Sequence, residues 1–215
     1  MRRLIIIGQH GMGKSSLGNL LLNENVFTVG AQMSSVTKKL DSGKSNKYEV
    51  IDCPGFGDLT DEYIFFKQYL ERRAELIEFA PINAIVLVVK FDEKESVGFG
   101  AAVKNFYSAF GHDGLQSVML VCIQGKLNLD EKEFKQCLFD SDGYKFLKEK
   151  KGGEIPYCLW DNLNPKRYSS QQEDFDSCLY FLKTFDEQAI ADSFQLIIKQ
   201  MEIMELKKKI KKKNF

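Results

Sequence analysis

The 215-residue chain carries no formal net charge, because 30 lysines and arginines balance 30 aspartates and glutamates. Without a basic excess it is not built to hold nucleic acid by overall charge. No apolar stretch approaches the ~20 residues that a membrane-spanning helix needs. The N-terminal apolar run, Leu4-Ile5-Ile6-Ile7, is too short for a signal peptide. The five cysteines, at 53, 122, 137, 158 and 178, form no C-x-x-C pair. Cys122 and Cys158 fall inside apolar runs, so they read as buried thiols of a reducing compartment rather than as bridges. Internal repeats and low-complexity linkers are also lacking. These absences leave a cytoplasmic globular protein. Its hydrophobic content of 44% and charged content of 28% are ordinary for that class, and its length suits one domain with a proper core.

What is present is concentrated near the N-terminus. Gly8-Gln9-His10-Gly11-Met12-Gly13-Lys14-Ser15-Ser16 follows the apolar run and leads into Leu17-Gly18-Asn19-Leu20-Leu21-Leu22. This is strand, glycine-rich turn and helix, with G-x-x-x-x-G-K-[ST] at the turn. Glycines let the backbone curl until successive N–H groups point inward, and the helix start adds its positive end. His10, Gly11, Met12, Gly13, Lys14, Ser15 and Ser16 are therefore expected to cradle phosphates. Lys14 reaches the β- and γ-phosphates, and the Ser15 hydroxyl serves a Mg²⁺ ion.

Apolar β-rich runs alternate with helical patterns, as a parallel sheet with crossover helices requires. Buried strands are expected at Leu4–Ile7, Tyr48–Asp52, Ala84–Val89, Ser117–Ile123 and Pro156–Trp160. A polar strand at Thr37–Ser42 hairpins into Tyr48–Asp52 through Ser42–Asn46. Helices are expected at Lys14–Leu22, Asp61–Phe79, Gly98–Phe110, Glu131–Leu138 and from Gln171 onward. The fold class is α/β, a Rossmann-like P-loop arrangement with a mostly parallel sheet flanked by helices and a C-terminal helical extension. Residues 1–185 form the nucleotide domain and 186–215 an amphipathic helix with a lysine-rich end. In that helix Phe194, Ile197, Ile198, Met201 and Met204 form one apolar face, followed by Leu206-Lys207-Lys208-Lys209-Ile210-Lys211-Lys212-Lys213. The lysines suit the negative C-terminal dipole of a solvated helix end. They equally suit contact with an anionic membrane or an acidic partner, which would place the protein peripherally on membranes.

A second phosphate-site element, Asp52-Cys53-Pro54-Gly55, closes an apolar strand. Asp52 at the strand end can hold a Mg²⁺-bound water, and Gly55 lets its backbone N–H meet a γ-phosphate. A threonine between the first helix and the second strand completes the metal set. Thr37 is the choice, with Thr28, Ser34 and Ser35 as rivals. Metal ligation is thus expected from Ser15, Thr37 and Asp52, and action on the transferred phosphate from Lys14, Thr37 and Gly55.

Taken together, Gly13-Lys14-Ser15-Ser16-Leu17-Gly18-Asn19, Ser35-Val36-Thr37-Lys38 and Asp52-Cys53-Pro54-Gly55-Phe56-Gly57-Asp58 resemble the G domain of the immunity-associated nucleotide-binding proteins. These are the GIMAP or avirulence-induced-gene type of GTPase, within the septin-like P-loop GTPases. Cys158-Leu159-Trp160-Asp161-Asn162 resembles that family's base-site segment. The resemblance covers roughly residues 2 to 185. It implies GTP and GDP as ligands with Mg²⁺, base contacts from Trp160, Asp161 and Asn162, and a homodimer meeting at the nucleotide face. Slow GTP hydrolysis assisted by the dimer is implied, and the alternative is a non-catalytic GTP-bound scaffold.

Three positions depart from the family pattern. Lys126 stands where a guanine-reading aspartate is expected, and a lysine has no acceptor for guanine's donor edge; Asp161, Asn162 or Asp130 are the alternative acceptors. Phe56 follows Gly55 where small Ras-like GTPases place a water-orienting glutamine. Lys94 is the nearest charge to the arginine that some relatives insert across the dimer, and it lacks the planar fork.

Overall fold

The computed structural model describes residues 1–9, 11–29, 40–53, 62–91, 99–124, 130–160 and 168–213. Six strands form one sheet: β1 (Arg2–Ile7), β2 (Asp41–Lys44), β3 (Tyr48–Asp52), β4 (Ala84–Phe91), β5 (Val118–Gln124) and β6 (Tyr157–Trp160), in the order β2-β3-β1-β4-β5-β6. All neighbours are parallel except β2, which runs antiparallel on the edge beside β3. Both faces of the sheet are covered, so alternate residues of each strand enter different cores. Ile5, Ile7, Ile51, Ile85, Leu87, Val118 and Leu120 pack on one side. Leu4, Ile6, Val50, Val86, Val88, Met119 and Val121 pack on the other.

The second side is covered by α1 (Lys14–Leu22) and α7 (Tyr168–Leu179), through Leu17, Leu21, Phe175 and Leu179. The first side carries α2 (Glu62–Glu71), α3 (Arg73–Glu78), α4 (Phe99–Ser117), α5 (Glu131–Asp140), α6 (Asp142–Lys151) and the beginning of α8 (Glu187–Lys213). Helix α8 is anchored by Ile190, Phe194 and Ile197, all at most 1% exposed. The Phe194 ring lies 5.0 Å from that of Tyr69 in α2, and the Tyr69 hydroxyl shares a 3.2 Å hydrogen bond with the Ser193 hydroxyl. At the N-terminal end of the sheet the buried Glu49 accepts from the Arg3 Nε at 2.8 Å, while an Arg3 terminal nitrogen donates to the carbonyls of Phe79 and Ala80. That fork ties β1 and β3 to the chain entering β4.

Four expectations need correction. The described hairpin strand is Asp41–Lys44, which runs two residues past the expected end at Ser42; Thr37 and the rest of 37–39 lie outside the described residues. Gly43, read as a turn residue, is instead paired with Val50 in the ladder; glycine serves there because a Cβ would meet Leu22 Cδ1 at 2.5 Å. The turn instead closes at Ser45, whose N–H donates to the Tyr48 carbonyl at 2.8 Å. The single helix expected over 61–79 breaks at Arg72, where the Arg72 N–H reaches back only three residues to Tyr69. The helix expected to end at Phe110 does end there, since Gly111 at φ 62° is not helical; a second short helix follows within α4 to Ser117, so β5 begins one residue later than expected. Helix α6 was not anticipated. Ser141 caps its start, Gly152 ends it at φ 72°, and only Gly143, Tyr144 and Leu147 of it are buried, too sparse an apolar pattern to announce a helix.

Truncating Phe194→Ala should cost about 3–5 kcal/mol, the usual range for a large buried aromatic, whereas Ile210→Ala on the exposed end of the same helix should fall within about 0.5 kcal/mol of the parent. Urea unfolding of the two variants checks this.

Candidate functional site

The glycine-rich loop leaves β1 at Ile7 and turns directly against the neighbouring strand. A Cβ on Gly8 would lie 2.7 Å from the Val88 carbonyl oxygen, so only glycine allows the loop to pass that close to β4. Gly11 and Gly13 take φ values of 76° and 85°, the left-handed region that other residues enter at a cost. Gly13 is the N-cap of α1, with no side chain capping the helix and no acidic residue in its first turn. The positive end of the helix is therefore not neutralised from within its own first turn.

Lys14 opens that helix and is 6% exposed. Its ammonium folds back to donate to the Gln9 carbonyl at 2.8 Å, which holds the cation over the loop. Burial pulls its pKa down, opposed by the nearby Asp52 carboxylate. Ser15, next in the chain, donates its hydroxyl to Asp52 Oδ2 at 2.7 Å. Asp52 ends β3, beside Ile6 of β1, and is 1% exposed. Its other oxygen, Oδ1, is buried and has no hydrogen-bond partner among the described residues. Burial pushes the Asp52 carboxyl up, while the Ser15 hydroxyl and the Lys14 ammonium pull it back down. The arrangement is a buried cation, a hydroxyl and a buried carboxylate with one open oxygen, beside a loop of left-handed glycines.

Lys14, Ser15 and Asp52 are thus brought together as expected, with Gly11, Met12 and Gly13 in the loop before them and Ser16 next in α1. His10, Thr37, Gly55, Asp161 and Asn162, together with Phe56, Lys94 and Lys126, lie outside the described residues. Trp160 ends β6, but its ring is buried, 1% exposed and edge-on to Phe175 at 6.1 Å; it is part of the core. Asp130 is occupied as the N-cap of α5, accepting from the Glu133 N–H at 2.8 Å while Glu133 caps it in return.

Asn19 is a residue whose role sequence reasoning missed. Its side-chain amide donates to the Phe27 carbonyl at 2.8 Å and accepts from the Phe27 N–H at 2.7 Å, both bonds buried. The Phe27 ring in turn lies over Gly18, where a Cβ would meet it at 2.7 Å. Glycine followed by asparagine is therefore a lock: one residue admits the ring, the next clamps its backbone. The spacing Gly18-Asn19 with an aromatic eight residues on was the available signal. Beside this lock, Ser16, Leu20, Asn23 and Val29 help line a cavity of about 620 Å³ along the flank of α1.

The sequence profile of the AIG1 family matches residues 2–212. The chain belongs to the AIG1 family. Among curated proteins it is similar to immune-associated nucleotide-binding protein 7 of Arabidopsis thaliana, at 28% identity over 151 residues, covering 68% of this chain and 48% of that protein. This AIG1-family chain thus spans about half the length of that relative. Among solved structures it resembles Toc33 from Arabidopsis thaliana in complex with Mg²⁺ and GMPPNP, with a TM-score of 0.60 at 16% identity, covering 85% of this chain and 86% of that one. A structure described under the importance of dimerization for the GTPase activity of the chloroplast translocon components atToc33 and psToc159 gives a TM-score of 0.60 at 19% identity, covering 76% and 71%. At such identities the likeness is one of fold, and the fold is that of the P-loop GTPases.

Two predictions follow from the geometry. Asn19→Ala strands the buried N–H and carbonyl of Phe27 and should destabilise the protein by about 2–4 kcal/mol, taking 1–3 for each unsatisfied group and allowing for overlap; thermal or urea unfolding reads it directly. Asp52 carries a folded pKa above its unfolded value, so the ligand-free protein binds more protons folded than unfolded across the carboxylate range. Its contribution is complete below the unfolded value, near 4, and is lost as pH rises through the folded one. Asp52→Asn should therefore raise the melting temperature of the ligand-free protein at neutral pH and leave it nearly unchanged at pH 3.5.

Proposed function

We propose that this chain is a cytoplasmic guanine-nucleotide switch that binds GTP and GDP with Mg²⁺ and hydrolyses GTP slowly, assisted by a second copy across the nucleotide face. The observation that carries the reading is the Ser15–Asp52 hydrogen bond, which leaves Asp52 Oδ1 buried and open beside the glycine loop. An open carboxylate oxygen next to a hydroxyl is a hard-oxygen donor set of the kind Mg²⁺ takes, usually keeping waters in its shell. The residues fit the ion: Ser15 would ligate it and Asp52 would hold it, directly or through a bound water. Held by Ser15 and Asp52, the ion would supply neutralisation of phosphate charge.

The remaining work falls to the chain itself. Lys14 supplies a desolvated cation, worth more to a phosphate than an exposed lysine because the surrounding medium screens it less. The backbone of Gly11–Ser16 forms the cradle. Thr37 is assigned to the metal and γ-phosphate and Gly55 to a backbone contact with that phosphate, so loss of the phosphate would release both segments. Phe56 after Gly55 cannot polarise water, which supports slow unassisted turnover. The preference for guanine rests on the AIG1 family and its nucleotide-binding relatives. Assistance from a second copy draws on the printed link between dimerization and GTPase activity in atToc33 and psToc159. All five cysteines are free, in keeping with a reducing compartment.

Calorimetric titration of Mg-GDP and Mg-ADP into nucleotide-stripped protein should give tight GDP binding and no ADP signal; equal binding would overturn the guanine assignment. Lys14→Ala removes charge-assisted bonds of about 1.5–3 kcal/mol and should weaken Mg-GDP by roughly 10- to 150-fold. The single-turnover GTP hydrolysis rate should rise with protein concentration. A complete lack of product over hours would instead indicate a structural nucleotide in an assembly module.

A further inference from the structure

Helix α8 has two apolar faces, and the domain covers only one of them. Ile190, Phe194 and Ile197 are buried, and Met201 and Met204 continue the same face, partly buried against the core. At 3.6 residues per turn, Ile203, Leu206 and Ile210 recur three and seven residues apart on the face roughly opposite. Leu206 is 57% exposed and Ile210 59% exposed. Among the described residues the domain reaches this stripe only at Leu196, one heptad before Ile203, where its Cδ2 lies close to Gly111 of α4; Leu206 and Ile210 lie beyond that contact. Lys207 and Lys209 flank this stripe together with Glu202, and Lys199 and Lys213 fall within it one turn before and one turn after.

We propose that the end of α8 is a docking element for an anionic lipid surface, with Ile203, Leu206 and Ile210 entering the interface and the surrounding lysines meeting the headgroups. Charge selects the occupant. The three-and-seven spacing also suits a paired helix, and in a second parallel copy Lys207 would even face Glu202 across the seam. Lys199 and Lys213, however, would fall on the seam itself. Such a pair sets lysine against lysine and is disfavoured. A nucleic-acid backbone satisfies the lysines but has no use for three aliphatic side chains. An anionic bilayer satisfies both, with apolar groups at the acyl boundary and long lysine stems reaching back to the headgroups. The element is marginal by design of its size, since one short stripe gives reversible attachment that depends on both contributions.

The test uses the full chain with vesicles of phosphatidylcholine alone or mixed with phosphatidylserine, separated by sedimentation. Two variants are compared: Leu206→Ser/Ile210→Ser, which keeps every lysine, and Lys207→Gln/Lys209→Gln/Lys213→Gln, which keeps the aliphatic side chains. Unchanged thermal midpoints establish that both remain folded. The parent should sediment with the phosphatidylserine vesicles and not with phosphatidylcholine alone, with binding falling at 0.5 M salt. At ~1 kcal/mol per lysine near such a surface, the glutamine variant should lose on the order of 100-fold in partitioning, and the serine variant at least ~10-fold. Full binding by the serine variant overturns the proposal, since the lysines would then act as bare charge. So does a parent chain that ignores both vesicles, whether it binds duplex DNA instead or forms a dimer that Leu206→Ser/Ile210→Ser abolishes.

Discussion

The hydrogen bond from Ser15 to Asp52 joins two parts of the chain that the fold must first bring together. Ser15 belongs to the first turn of α1 and Asp52 to the last residue of β3, and their meeting at 2.7 Å needs β1 and β3 in register and the loop folded tightly onto β4. Gly8 permits the second condition and the Ile6–Asp52 pairing supplies the first. Once formed, the contact leaves a cation and a carboxylate both nearly sealed from water. Each is shifted toward its neutral form by burial and held charged by the other. A folded protein tolerates such desolvated charges where function repays the cost, and a ligand that brings phosphate and a divalent cation offsets it most directly. The site is destabilised until it is filled.

That cost makes the lock on the other end of α1 intelligible. A short helix of nine residues whose start carries a buried lysine has little propensity of its own to hold position. Asn19 clamps the backbone of Phe27 with two buried bonds, and the Phe27 ring closes over Gly18. The helix is thereby fixed at its C-terminal half by side-chain hydrogen bonds and along its length by Leu17 and Leu21. Its N-terminal turn is left to the ligand. Rigidity is placed where the chain must not move, and the polar demand is left where the nucleotide would answer it.

Much of this was legible in the residues. Five strands fall close to their expected places because buried parallel strands are nearly continuous apolar runs, and runs such as Ala84–Val89 have no competing helical period. Lys14, Ser15 and Asp52 were legible because a phosphate loop has a fixed spacing and the strand-ending aspartate has a fixed position after it. The clamp of Asn19 was harder to read, because it holds the backbone of Phe27 and only the ring over Gly18 leaves a mark in the sequence. Gly111 was legible as a stop, since glycine after an apolar helix ends it, but the short helix that follows to Ser117 was not. Trp160 was drawn toward the base site by its neighbours in sequence, yet the alternation of β6 sends Cys158 and Trp160 together into the core. Position along a strand decided its role more than proximity to a motif did.

The long C-terminal helix shows the same principle with the opposite result. A helix that packs on a domain through one face spends its apolar residues on that face, and α8 does so from Ile190 to Met204. If its remaining turns served only to end the helix, the next residues on that face would be neutral or polar and the opposite face would be polar throughout. Instead the packing face passes into Lys208 and Lys211, while the aliphatic residues reappear on the opposite face at Ile203, Leu206 and Ile210. Past the domain, the apolar residues lie on that opposite face alone, continuing the line of Leu196. A continuous helix cannot twist to bring the second stripe onto the domain, so whatever meets it must come from outside. A helix that is rooted by its first turns and faces its apolar residues outward in its last can couple the domain rigidly to another surface. In that case, the orientation of the nucleotide site relative to that surface is set by the helix from Ile190 to Ile203, rather than by a flexible linker.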